Sequence, residues 1–373
     1  MKQITITVLL IAIVISSSVT LSAESSSPPL PSGQRLREIV AEKFPDGRVL
    51  IGGTTGSWAF GRTTGQIMDR EFSYVTPEND FKQAIIHPDP HTWNWDRADA
   101  WIEHITANGQ VLRMHGPVSP QCSRWAKDDE RTPEELRQVM EEFVTALYRR
   151  YNGKPGFISV DVVNETVVNG KWHTNKKGTP WELPWFLMGQ DTDQNKTPLY
   201  IKRSFEIANR YAKDLKLIFN HHEDMNAAGS WQLIKDTIAY LRNAGLRVDG
   251  IGWQAHVNNG WATTENLAKL RDLIKWAHQN KLEFHVTEAS VWIKKEVTPE
   301  TLPLQAQTYS AIVKVLLEER AHGVVGWNTW HIDDPHGWHS EWKGSLFDGE
   351  YAPKPAYYAI QKALETAAEN RND

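Results

Sequence analysis

The sequence predicts an α/β chain folded as one (β/α)8 TIM barrel, and three observations carry that prediction. Eight short β-rich runs recur along the 373 residues, helix-period segments lie between them, and no linker marks off a second globular body. With 40% apolar residues the chain can bury a sizeable core. An open doubly wound sheet is the structural alternative. It is disfavoured because Gly52-Gly53-Thr54-Thr55-Gly56, after the first run, lacks the G-x-G-x-x-G spacing that cradles a dinucleotide.

In chain order the runs fall at 49–56 (VLIGGTTG), 73–80 (SYVTPEND), 110–117 (QVLRMHGP) and 158–165 (ISVDVVNE), then 215–223 (LKLIFNHHE), 250–257 (GIGWQAHV), 282–290 (LEFHVTEAS) and 323–330 (GVVGWNTW). Each ends in small or polar residues, as strands entering loops do. After the third run, Leu136, Val139, Met140, Phe143, Val144 and Leu147 share one helical face. Thr132 is placed to cap that helix, Pro133 to start it and Glu135 to complete a capping box. Ile201, Phe205, Ala208 and Ala212 repeat the pattern behind Thr197-Pro198.

Residues 1–23 read as an export signal: Lys2 supplies the charged start, residues 4–15 are apolar, and Leu21-Ser22-Ala23 offers a small-residue cleavage site. A membrane anchor wants about 18 uninterrupted apolar residues, and Ser16, Ser17 and Ser18 end this run early. Residues 24–31 form a Ser/Pro-rich tether, and 32–373 the barrel. The expected location is therefore secreted, periplasmic or extracellular. The lone Cys122 has no intrachain disulfide partner.

Lys plus Arg total 41 against 46 Asp plus Glu, a net charge of −5 with the signs interspersed. That excludes an electrostatic footprint for nucleic acid, or for a membrane surface once the signal is removed. The 17 Trp outnumber the 10 Tyr and 11 Phe, and a wide ring with one polar edge suits a sugar face as well as a core. On this charge balance the expected partner is not a polyanion.

Barrel chemistry gathers where strands enter their βα loops. The second run ends Pro77-Glu78-Asn79-Asp80, with Lys82 close behind; the third carries Arg113 and His115; the fourth ends Asp161-Val162-Val163-Asn164-Glu165. The sixth supplies Gln254 and His256, the seventh His285 and Glu288, and the eighth Trp327 and Trp330. Any one of these reads as a cap or loop residue. Jointly they do not, because Asn164-Glu165 and Thr287-Glu288 close two apolar runs at the same depth. Carboxylates on the fourth and seventh strands face each other across the mouth, as a glycosidase requires. One protonates the departing oxygen while the other attacks the anomeric carbon, and a spacing of about 5–5.5 Å gives retention. Their surroundings must push the two pKa values apart.

These residues resemble glycoside hydrolase family 10, a family of retaining endo-β-1,4-xylanases on (β/α)8 barrels, from the second strand to the carboxyl end. Asp161-Val162-Val163-Asn164-Glu165 is similar to the family's W-D-V-V-N-E, and Phe284-His285-Val286-Thr287-Glu288 to its second strand-end glutamate. The resemblance makes Glu165 the acid/base and Glu288 the nucleophile. Glu78-Asn79-Asp80-Phe81-Lys82 resembles E-N-x-M-K, residues 250–256 resemble G-I-G-x-Q-x-H, and Leu346-Phe347-Asp348 with residues 353–357 resembles L-F-D…P-K-P-A-Y. It implies that Glu78, Asn79 and Lys82 bind sugar, with His115 beside them, and that Asn164 bonds a 2-hydroxyl. It further implies that Gln254 and His256 orient Glu288, and that Trp327 and Trp338 cover the sugar at the reacting centre. Trp172, Trp181 and Trp185 are candidates for further subsites or for core.

Departures from the family fall around the substrate. The strand-three Trp-His pair is absent from Gly116-Pro117-Val118-Ser119-Pro120-Gln121, Tyr and Asn after the fifth strand become His222 and Glu223, and the Asp that braces the histidine becomes Ser290. Retaining hydrolysis is expected to persist, with xylan as the family's default and another β-linked glycan as the alternative; the resemblance implies a polysaccharide partner bound by a monomer, without cofactor or metal. Two other classes remain open. A metal-dependent barrel hydrolase is suggested by 14 His, including His221 and His222, and a catalytically dead carbohydrate-binding barrel by the rebuilt wall.

Overall fold

The structure, a computed structural model, describes residues 29–127, 130–294 and 296–369. The expected export signal and most of the tether lie outside the described residues. Eight parallel strands form the barrel: β1 (Val49–Thr55), β2 (Tyr74–Pro77), β3 (Val111–Met114), β4 (Phe157–Asn164), β5 (Lys216–His221), β6 (Gly250–Trp253), β7 (Glu283–Trp292) and β8 (Val325–Thr329). Each pairs with the next, and β8 returns to β1 with Val325 opposite Val49 and Trp327 opposite Ile51, which closes the sheet.

One long helix follows each strand: α1 (Thr63–Glu71), α2 (Asp96–Asn108), α3 (Pro133–Tyr151), α4 (Leu199–Tyr211), α5 (Ala228–Asn243), α6 (Thr264–Gln279), α7 (Thr301–Glu319) and α8 (Pro355–Glu369). The helix Leu36–Lys43 precedes β1 and packs on α8. In α3 the predicted stripe faces inward, with Leu136, Met140, Phe143, Val144 and Leu147 buried. Its capping box forms as well: Thr132 Oγ1 accepts from the Glu135 N–H at 3.2 Å while Glu135 Oε2 accepts from the Thr132 N–H at 2.7 Å.

The inside of the barrel is polar, and glycines make the space for it. A Cβ on Gly252 would lie 2.4 Å from Asn220 Oδ1, and one on Gly326 would lie 2.2 Å from His285 Nδ1. Arg113, Asp161, Asn220, His285 and Thr287 fill the interior, all buried. Of these, Arg113, Asp161, Asn220 and Thr287 lie beneath the rim where β4 and β7 end. Two substitutions separate interior from cap energetically in urea unfolding. Gly326→Ala should cost about 1–3 kcal/mol by overpacking against His285, whereas Thr132→Ala should cost about 1 kcal/mol by loss of a cap. A smaller cost for Gly326→Ala than for Thr132→Ala would contradict the packing described.

Candidate active site

Both candidate carboxylates sit where strand geometry is locally broken. Glu165 is the first residue beyond β4 and has φ +59°, a left-handed conformation costing a non-glycine residue about 1–2 kcal/mol. Its N–H bonds to the Asn220 carbonyl at 3.2 Å. Glu288 lies inside β7, where the register against β8 slips between Val286 and Ala289; β4 slips against β5 between Asp161 and Val163. Bulges of this kind re-aim side chains near functional sites. Ala255 (φ +62°) and His331 (φ +70°) add strained backbone at the same rim.

One amide oxygen ties the two carboxylates together. Asn164 Oδ1 accepts from Asn220 Nδ2 at 2.9 Å and from Gln254 Nε2 at 3.1 Å. The second hydrogen of each donor serves a carboxylate: Asn220 Nδ2 lies 2.8 Å from Glu288 Oε1, and Gln254 Nε2 lies 3.0 Å from Glu165 Oε1. Thr287 Oγ1 donates to Asn220 Oδ1 at 2.7 Å, which fixes that amide's orientation. Asn164 has its oxygen saturated and its NH2 left to face the cleft.

The surroundings hold Glu288 charged. Burial alone would raise its pKa, but His115, His256 and Arg113 outweigh it and hold the carboxyl down at about 2. His115 Nδ1 is 3.6 Å from one oxygen and His256 Nε2 is 3.4 Å from the other. Arg113 pairs with Asp161, both fully buried, and donates to the Thr287 carbonyl at 2.7 Å; His115 Nδ1 also lies 2.8 Å from Asp161 Oδ2. Lys82 donates to Asn79 Oδ1 at 2.9 Å, and burial pushes its ammonium down against the pull of Glu288, Glu78 and Glu165. For Glu78, burial is outweighed by His331, 3.3 Å away, and by Lys82, so its carboxyl stays below its usual value.

The cleft has two adjoining lobes. The first, about 320 Å³, is lined by Glu78, Asn79, Lys82, His115, Gln121, Asn164, Glu288 and Trp330. The second, about 340 Å³, is lined by Val168, His173, Lys176, His222 and Trp292. Glu165, Gln254, His256, Trp181 and Trp338 border both lobes, which puts Glu165 at their junction. Trp181 and Trp338 are 41% and 42% exposed, so their ring faces are open to a ligand.

Glu78, Asn79, Lys82, His115, Asn164, Gln254, His256 and Trp338 therefore gather around Glu165 and Glu288. Two expectations need correction. Trp327 is fully buried and meets Tyr309 of α7 edge-on, ring centroids 5.9 Å apart. Side chains alternate along β8: Asn328 turns inward to the Thr54 and Thr76 hydroxyls, so Trp327 turns outward into the helix layer. Trp330, just past the strand, takes the cleft position, 5.2 Å from the His115 ring. The second correction concerns Gln254, whose side chain reaches Glu165, while Asn220 takes the place beside Glu288.

The departures from the family also find places. Gln121 forms part of the rebuilt wall. Ser290 lies opposite His256 in the strand register, and His256 Nδ1 has no hydrogen-bond partner. The His256 ring instead lies parallel to Trp292, 2° between planes and 5.5 Å between centroids. Glu223 Oε1 accepts from the Asn169 N–H at 2.7 Å. Trp185 is core and Trp172 bonds the Asn195 carbonyl, which leaves Trp181 as the cleft residue of the three. His221 is fully buried, and burial pushes its pKa down to about 4; His222 lines the second lobe. Among the described residues no three His, Cys, Asp or Glu side chains are grouped to hold a metal. Sequence reasoning did not assign a role to Asn220, Trp292 or His173. For Asn220 the available signal was its position at the end of a polar-tipped barrel strand.

Comparison with known proteins bears on the family and the fold. An Endo-1,4-beta-xylanase A from Caldicellulosiruptor saccharolyticus is 31% identical over 318 residues, covering 79% of this chain and 87% of that protein. One from Humicola insolens is 29% identical over 307 residues, covering 79% and 74%. Among solved structures, xylanase 10B from Thermotoga maritima superposes with a TM-score of 0.76 at 27% identity over 90% of this chain and all of that one. Xylanase 10B from Thermotoga petrophila in complex with xylobiose gives 0.77 at 26% identity over 91% of this chain and 100% of that one. The model of glycosyl hydrolase family 10 matches residues 36–363, nearly the whole described barrel, and the chain belongs to that family.

Proposed function

We propose that the protein cleaves β-1,4-xylosidic bonds within xylan, with retention of configuration. The observation that carries this reading is the pair of carboxylates joined through Asn164 Oδ1 at the floor of one cleft, one of them held ionised by two imidazoles and a guanidinium. Glu288 attacks the anomeric carbon as the carboxylate. Glu165 gives its proton to the departing glycosidic oxygen, so that bond breaks as the glycosyl ester forms. Glu165, now a carboxylate, takes a proton from water, which displaces Glu288 and restores both groups.

Asn164 keeps an NH2 for the 2-hydroxyl, where hydrogen bonds strengthen in the transition state. Asn79 and Lys82 lie in the first lobe with Glu78 and bind sugar hydroxyls there. Xylan is favoured as substrate by the relatives named as xylanases. Gln121 in the rebuilt wall favours a second reading, the same chemistry on another β-glycan. The apolar run and cleavage pattern of residues 1–23 support action outside the cell.

Three outcomes test the reading. Glu165→Gln should lower turnover of xylan by about 10²–10⁴-fold, the usual contribution of a general acid. The first product seen by anomeric NMR should be the β-anomer, and an α-first product would overturn retention. The pH dependence follows from the sign of the Glu288 shift. Activity requires its carboxylate, so the low pKa keeps the acid limb of kcat/KM below the ordinary carboxylate range. His115→Asn removes an imidazole whose interaction lowers this pKa, so the limb should move to higher pH; an unmoved limb would contradict the electrostatic account.

A further inference from the structure

The backbone of Glu165 is held by more than its own strand. Immediately after it, Val167–Val168 and Lys171–Trp172 pair as a two-stranded hairpin. The hairpin turns at Asn169 and Gly170, whose φ values of +54° and +70° suit a type I′ turn. The Asn169 N–H bonds to Glu223, and the Gly170 N–H to Ser230 Oγ at 2.8 Å, so the turn is pinned to the far side of β5. The hairpin returns the chain to the Glu165 corner, and the residue it delivers is His173.

His173 is 3% exposed and bonded on three sides. Its N–H donates to the Thr166 carbonyl at 2.8 Å. Its Nδ1 lies 3.0 Å from the Glu165 carbonyl, and its Nε2 lies 2.9 Å from the Trp181 carbonyl. A neutral ring donates to one of these carbonyls and an imidazolium to both. In either state the ring is wedged between the strained peptide of Glu165 and the loop that carries Trp181 over both lobes.

We propose that His173 is a positioning residue: by bridging the Glu165 and Trp181 carbonyls it fixes the left-handed backbone from which the Glu165 carboxyl is aimed, and sets the loop above it. This inference rests on the reading of Glu165 as the general acid. Glu165 carries φ +59° without glycine's freedom, so that conformation persists only where its surroundings impose it. Its N–H is held by Asn220, its side chain by Gln254 and its carbonyl by His173. Without the last, the peptide can relax and swing the carboxyl off the glycosidic oxygen, and a misplacement near 1 Å costs about 10²-fold.

The test compares kcat/KM on two substrates, an unsubstituted xylo-oligosaccharide and dinitrophenyl xylobioside, whose phenol departs without needing a proton. His173→Phe keeps an aromatic ring and removes both ring nitrogens. It should lower kcat/KM by roughly ten- to a hundredfold on the oligosaccharide and leave the dinitrophenyl substrate nearly unchanged. A residue that merely supports the fold would reduce the active fraction and lower both equally, and equal losses, or none, overturn the proposal. If the Phe variant does not fold, His173→Gln, with a single donor nitrogen, should show the same selectivity at smaller size, and equal losses there also overturn it. Glu165→Gln is the reference. If it shows no selectivity between the substrates, the reading of Glu165 itself fails; if it does and the His173 variants do not, only the role of His173 fails.

Discussion

Everything at the rim of this barrel depends on one oxygen accepting two hydrogen bonds. Asn164 Oδ1 takes an N–H from Asn220 and one from Gln254, and the remaining hydrogen of each donor goes to a different carboxylate. Three strands and one strand end thereby share a single network, with β4 supplying the acceptor, β5 and the end of β6 the donors, and β7 the Glu288 carboxylate. The arrangement is rigid because both donor nitrogens have each of their hydrogens bonded. A rotation at either one would leave a buried donor or acceptor unpaired, at a cost of about 1–3 kcal/mol.

The network sits above a layer of buried charge. Arg113 and Asp161 are fully buried and paired, and His115 lies between Asp161 and Glu288. A buried ion pair gives little net stability against a well-packed apolar equivalent, because desolvation consumes the Coulombic gain. Its value here is electrostatic. It places a fixed guanidinium under Glu288, which adds to the effect of His115 and His256 in keeping that carboxyl ionised although only 3% of the residue is exposed. The glycines of the barrel belong to the same design: at Gly252 any side chain would strike Asn220, the residue that aims Glu288.

Much of this was legible in the sequence. The eight runs correspond to the eight strands, since hydrophobic runs ending in polar residues report the barrel directly, and the two glutamates sit at the matching depth. The residues that resisted reading depend on facing and on irregularity. Trp327 and Trp330 are three positions apart, and only the inward turn of Asn328 shows that Trp327 must face the helices while Trp330 escapes the alternation beyond the strand. Gln254 is followed by Ala255 at positive φ, and a strand that ends in such a corner no longer obeys period-two facing. Asn169-Gly170 was a usable hairpin signal, yet nothing local revealed that the hairpin would carry His173 to the Glu165 carbonyl. That contact depends on Glu223 and Ser230 pinning the turn from β5 and α5.

The departures from the family acquire a common physical meaning in this setting. Ser290 replaces the aspartate that would brace the histidine, and the imidazole is held by the parallel face of Trp292 and the edge of Trp338. Stacking restrains a ring's plane but offers Nδ1 no hydrogen bond, so among the described residues the His256 imidazole is left with Glu288 as its one polar contact. The bracing carboxylate is absent, and the imidazole still lies 3.4 Å from Glu288. Glu223 follows the same logic on the other side of the cleft: it stands where the family has a small amide, and its carboxylate anchors the hairpin that reaches Glu165. Both residues leave support for the two glutamates on aromatic faces and loop backbone. A family whose chemistry is fixed by two strand ends can vary in this way, because the strands set where the carboxylates are while the loops set how firmly they are aimed.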